Sequence, residues 1–103
     1  MPKFEAKNAM TFDRMAEIWT GVIDSHVLLR RAFVVQTKLD AILVEGIDVE
    51  DPFRPTVVGR GKTVGWAYIE CPNGDRMVAK FRETASDDMV TEVLSRLAEI
   101  AMS

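Results

Sequence analysis

At 103 residues, 48% apolar and 28% charged, the chain has the composition of one small globular domain, here spanning 1–103, and lacks the polarity of a disordered one. A net charge of −3 gives no bulk basicity to draw the whole molecule onto nucleic acid or anionic lipid. One cysteine, Cys71, excludes an intrachain disulfide, a CxxC redox pair and a thiolate zinc cluster, and fits a reducing, cytoplasmic compartment.

The opening "MPKFEAKNAM" has no apolar run of the kind a signal peptide needs, and no stretch approaches 18 consecutive apolar residues, so no membrane contact is expected. "KFE" within it offers a short edge strand. Thr11 is placed to cap a helix, with Asp13 in the favourable first turn and Met10 and Met15 at the positions of a hydrophobic staple. Phe12, Met15, Trp19 and Val22 continue at helical spacing until Gly21 and Asp24-Ser25 interrupt, predicting a break or bend near 21–25.

Leu28, Ala32, Val35, Leu39 and Ile42 step by 4, 3, 4 and 3, which predicts a second helix over about 25–45 with one continuous apolar seam. Leu29, Phe33 and Val44 lie beside that seam and form a second apolar patch, a candidate interaction face for another protein or a second copy of the chain. "EGIDVEDPFRP" then ends the helix at Gly46 and reads as an exposed acidic connector. Its carboxylates lack the spacing of a calcium loop, so neither a metal site nor a cofactor is expected.

Three strands follow, Thr56–Gly59, Thr63–Cys71 and Arg76–Glu83, joined by "GRGK" and "PNGD" and expected to form an antiparallel meander. "TVVGRGKT" resembles the end of a phosphate-binding loop, but Thr56 stands where its first glycine belongs. The β-rich "VGWAYIEC" follows where a helix should begin, so a turn is expected instead.

The second turn leaves two registers open. Pro72-Asn73-Gly74 as a three-residue loop makes cross-strand partners sum to 146, pairing Glu70 with Arg76, Tyr68 with Val78, Trp66 with Lys80 and Val64 with Arg82. Asn73-Gly74 as a two-residue turn makes them sum to 147 and turns Trp66 and Tyr68 toward Phe81 and Ala79 in the core. Turn chemistry and charge pairing favour the first, and core volume favours the second. The first register gathers Trp66, Tyr68, Arg76, Lys80 and Arg82, with Arg60 and Lys62, into an aromatic and basic sheet face, a candidate surface for nucleic acid.

Ser86 caps a last helix that carries Met89, Val93, Leu97 and Ile100 on one face, with Val90, Leu94 and Ala101 beside them. The order is therefore α-α-β-β-β-α, an α+β fold with helices packed on a three-stranded antiparallel meander. Over about residues 25–100 this order is similar, at the level of topology, to the YbaB-like nucleoid proteins, which are dimers that bind DNA. Trp19, Gly21 and the β-branched residues of the first helices depart from that family's Gln-, Lys- and Met-rich helix.

No catalytic residue is expected. His26 is the sole histidine, Asp24 lies two residues away on a different helix face, and neither Cys71 nor any serine sits in a nucleophile motif. The reading is a small, non-catalytic interaction or regulatory module, a homodimer, with nucleic-acid binding as the alternative.

Overall fold

The computed structural model describes residues 9–24, 31–50 and 54–102. The "KFE" segment, His26 and Leu29 lie outside these residues. Helix α1 spans Phe12–Ile23, and Thr11 caps it as its side chain accepts a hydrogen bond from the Arg14 N–H at 3.1 Å. Met10 and Met15, at the staple positions, are both buried in one core cluster.

The expected helix over 25–45 is not what forms. Arg31–Val35 is a strand, β1, and only Lys38–Asp40 is α-helical, opening into a π-helical turn over Ala41–Glu45; together these two pieces are α2. Arg31-Ala-Phe-Val-Val carries the β-branched and aromatic side chains that fit a pleated surface, and pairing with a neighbouring strand outweighs the helical spacing. Thr37 then starts α2 by accepting from the Asp40 N–H at 3.0 Å, and Gly46 ends it with φ 72°.

Strands β2 (Thr56–Val58), β3 (Thr63–Glu70) and β4 (Arg76–Arg82) complete a mixed four-stranded sheet in the order β1-β3-β4-β2. The meander is thus only partly realised. β3 is antiparallel to β1 and to β4, whereas β2 lies parallel to β4 on its far side. The "GRGK" segment is the reason. It straddles the end of β4: the Arg60 and Lys62 carbonyls accept from the Thr84 and Glu83 N–H groups, and the Lys62 N–H donates to the Glu83 carboxylate at 2.7 Å. Gly59, at φ 90°, passes so close to the chain after β4 that a Cβ there would meet the Ala85 nitrogen at 2.8 Å.

The β3–β4 hairpin adopts the 146 register from Gly65↔Phe81 to Glu70↔Arg76. Its turn closes as expected, with the Gly74 N–H donating to the Cys71 carbonyl at 2.9 Å and Gly74 at φ 97°. The ladder shifts beyond Gly65, so Arg82 pairs with Thr63 rather than Val64. Gly65 is covered by α1, whose Phe12 and Met15 side chains approach within about 3 Å of where a Cβ would stand.

Helix α3 spans Asp87–Met102, capped by Ser86 through the Met89 N–H at 3.1 Å. Its core stripe is Val90, Leu94, Ala98 and Ala101; Met89 and Ile100, expected to lead that stripe, are exposed. The result is three layers. α1 and α3 cover one sheet face through Met15, Trp19, Val90 and Leu94, packed on Ala67, Ile69, Ala79 and Phe81. On the other face lie α2 and residues 47–50, with Ala41 and Val49 buried against Trp66, Tyr68, Val78 and Val35. No described helix is long and apolar enough to cross a membrane.

Candidate interaction surface

The hairpin register places Trp66, Tyr68, Arg76 and Lys80 on one sheet face, as expected from the turn. The face is nevertheless closed. Trp66 and Tyr68 are 5% and 0% exposed, so neither ring is presented as a platform on which a base can stack. The acidic connector read as a solvated loop is what covers them. Residues 47–50 fold back over the sheet with Val49 fully buried, and their carboxylates face Lys38 of α2 and Lys80 of β4.

That cover is held by charge. The Lys80 ammonium lies 4.6 Å from the centroid of the Trp66 ring and 3.0 Å from Glu50 Oε1. Lys38 Nζ lies 3.5 Å from both Asp48 and Glu50, and the Asp48 side chain accepts from the Glu50 N–H at 3.0 Å. Lys80, by hydrogen bonding and by its charge, holds the Glu50 carboxyl below its ordinary value. Of the basic residues expected on this face, Lys80 is engaged by Glu50, and Arg76 by Glu70 as the register expectation paired them, with Nε 3.9 Å from Oε1. Arg60 and Lys62 sit apart, exposed on the β4-crossing loop, while Arg82 is half-buried and its Nε is enclosed without a hydrogen-bond partner.

Beneath the cover the aromatic groups form a ladder. The Phe33 and Tyr68 rings stack with centroids 4.8 Å apart and planes 16° apart, and the Arg31 guanidinium lies 5.5 Å above Phe33. The Tyr68 hydroxyl donates to Glu70 Oε1 at 3.1 Å; burial first, and this hydrogen bond second, push its pKa above the ordinary value. Arg31 also ties down the end of α2, donating to the Glu45 carbonyl at 2.8 Å and its carboxylate at 2.9 Å. Helix α2 therefore runs back along β1, from Thr37 beside the strand's last residue to Glu45 beside its first.

The outward side of α2 is the unusual surface. Leu39, Ile42, Leu43 and Val44 are 60%, 41%, 73% and 74% exposed, although the seam spacing assigned Leu39 and Ile42 to the core. Only Ala41 points fully inward, because the Trp66, Tyr68 and Phe33 rings already fill the layer and leave room for little more than a methyl group. Of the expected helix-face trio, Val44 is exposed on this patch, Phe33 is half-buried on β1, and Leu29 lies outside the described residues. Sequence reasoning missed Leu39, Ile42 and Leu43 as surface residues. Thr37 was the available signal, since a cap there turns 38–45 into a separate element with its own facing.

A cleft of about 580 Å³ lies between the starts of α1 and α3, lined in part by Thr11, Arg14, Ser86 and Asp87. Its polar groups satisfy one another: Arg14 holds Asp87 at 2.6 Å, and both hydroxyls are engaged as helix caps. Among the described residues no group of three or more His, Cys, Asp or Glu side chains is placed to hold a metal ion. The chain matches no family model, no curated protein and no solved structure.

Proposed function

We propose that this protein is a non-catalytic interaction module that works as a homodimer, with the outward side of α2 as its contact surface. The observation that carries the reading is the set of four large aliphatic side chains standing out of one short helix. Scattered exposed leucines are ordinary, but four large aliphatic side chains exposed on one short element of a chain this small are the kind of concentration that marks association sites. Covering each such side chain is worth about 1.5 to 3 kcal/mol, which makes a wet patch costly for a domain of marginal stability. Asp48 and Glu50, which follow α2, turn to Lys38 and Lys80 within the chain and not to the patch.

Sedimentation velocity across the micromolar range tests this reading. The parent is expected at twice 11.6 kDa, dissociating on dilution, and Leu43→Asp with Val44→Asp is expected at the monomer mass with an unchanged far-UV spectrum. A parent that stays monomeric throughout that range overturns the reading.

A further inference from the structure

We propose that the two copies join through their β1 strands, edge to edge and antiparallel, with Phe33 on the two-fold axis, so that two four-stranded sheets become one. This rests on the homodimer reading above and specifies how that dimer is built.

The argument starts from the backbone. The Cys71 N–H donates to the Asp75 carbonyl at 2.7 Å, which fixes that pair as a hydrogen-bonded rung. Rungs alternate along an antiparallel ladder, so Ile69, Ala67 and Gly65 direct their backbone groups toward β4, and Glu70, Tyr68 and Trp66 direct theirs toward β1. Their partners Arg31, Phe33 and Val35 are therefore satisfied by β3. Ala32 and Val34 point their N–H and C=O groups away from the sheet. Among the described residues nothing lies beyond β1 in the strand order.

An edge of this kind is a template for another strand, and proteins normally blunt it with charge, proline or brevity. The opposite edge obeys that rule: β2 has only Thr56–Val58, with the exposed Arg54 before it and Arg60 after it. Antiparallel pairing of β2 with its own copy would set Arg54 against Arg60. β1 has five residues, and its three central ones are Ala32, Phe33 and Val34. With the axis at Phe33, Ala32 exchanges both its hydrogen bonds with Val34 of the second copy, and every outward group of both strands is satisfied. Arg31 falls opposite Val35 of the second copy.

Two other features meet at the same place. Phe33 stacks on Tyr68 and carries the Arg31 guanidinium over its ring, so pairing at Phe33 brings the two aromatic pairs, each with its cation, to the axis. Helix α2 lies on that face and runs along β1, and a two-fold perpendicular to the sheet keeps both α2 helices on one side. Leu39, Ile42, Leu43 and Val44 of both copies then stand on the same side of the joined sheet. One symmetry operation closes the open edge and sets the two apolar helices on one face.

Two variants test the joint, each compared with the parent by sedimentation and far-UV circular dichroism. Val34→Pro removes an N–H that faces away from the sheet, a position where an edge strand accepts proline, and is expected to fold while its dimer dissociation constant rises at least tenfold. Phe33→Cys in a Cys71→Ala background places two thiols across a non-hydrogen-bonded pair, whose Cα separation of about 4.5 Å suits a disulfide. Oxidation is expected to give a covalent dimer at position 33, and none from Ala32→Cys in the same background, where the thiols are diagonal. A dimeric parent whose Val34→Pro variant dimerises with unchanged affinity and whose Phe33→Cys variant does not cross-link overturns the strand joint and leaves the homodimer reading standing. Should Val34→Pro fail to fold, the pair of cysteine variants decides the matter. A monomeric parent removes both.

Discussion

Lys80 stands over Trp66, its ammonium 4.6 Å from the ring centroid, while the same nitrogen reaches Glu50 in the segment that covers the ring. One side chain therefore links the sheet to its cover. With Trp19→Phe as background, the emission of Trp66 is expected to be blue-shifted and resistant to iodide, because the ring is 5% exposed. Lys80→Ala removes the cation and the stem that lies on the ring. It is expected to cost about 1 kcal/mol or more in urea denaturation and to red-shift that emission. An emission that is already red and freely quenched in the parent would contradict the closed face.

Gly59 and Gly46 both adopt positive φ, yet their substitution is expected to have unequal consequences. At Gly46 nothing lies within 4 Å of a Cβ, so Gly46→Ala pays only the backbone preference, about 1 kcal/mol. At Gly59 the Cβ meets backbone, the Ala85 nitrogen at 2.8 Å, and cannot be relieved by a rotamer change. Gly59→Ala is expected to exceed the Gly46→Ala cost by about 1 to 3 kcal/mol in equilibrium denaturation. Equal midpoints for the two variants would be evidence against the crossing.

Tyr68→Phe deletes a buried hydroxyl that donates to the Glu70 carboxylate and is expected to destabilise by about 1.5 to 3 kcal/mol. It also changes the alkaline limb. Burial raises the Tyr68 pKa in the folded state, so the folded protein holds this proton more tightly than the unfolded chain does. The contribution is complete below the ordinary value of 10.0 and is lost as pH rises through the higher folded value. Tyr68→Phe is expected to flatten the fall in melting temperature above pH 10 relative to the parent.

Acid acts on the opposite sign. Arg14, by a hydrogen bond at 2.6 Å and by its charge, lowers the Asp87 pKa below 3.8, and Lys80 lowers the Glu50 pKa below 4.5. Each contribution is present above those ordinary values and disappears as pH falls through the depressed ones. Thermal melts between pH 6 and pH 2 are expected to show a steeper decline for the parent than for Asp87→Asn with Glu50→Gln. Both pairs are solvent-accessible, so molar salt is expected to reduce the difference.

What the sequence disclosed well was local. Thr11 and Ser86 are caps because their hydroxyls need only an N–H three residues on, and Pro72-Asn73-Gly74 fixes the hairpin because the loop's length determines the pairing. The strand at Arg31–Val35 was hidden for the converse reason. Its residues fit a helical seam in isolation, and only β3, more than thirty residues away, makes the extended form the better one. The same gap explains the candidate face. Register put Trp66 and Tyr68 on the correct side, but their cover comes from Ala41 of α2 and from Val49, the latter in a stretch whose acidity suggested water. Leu39, Ile42 and Leu43 were legible as apolar, and their direction followed from rings contributed by other strands.

The bridge over the end of β4 also dictates an order of assembly. β2 and β3 are consecutive in the chain, yet they share no edge, since β4 occupies the slot between them. A ribbon made of β2 and β3 alone would have to be pried open to admit the later strand. The hairpin that follows in sequence must consequently be in place first, and β2 is laid down afterward as a late addition along its flank. Slow annealing of that outermost strand, reported by backbone amide protection at Thr56–Val58 lagging behind that of Thr63–Glu70, is the kinetic signature this topology imposes.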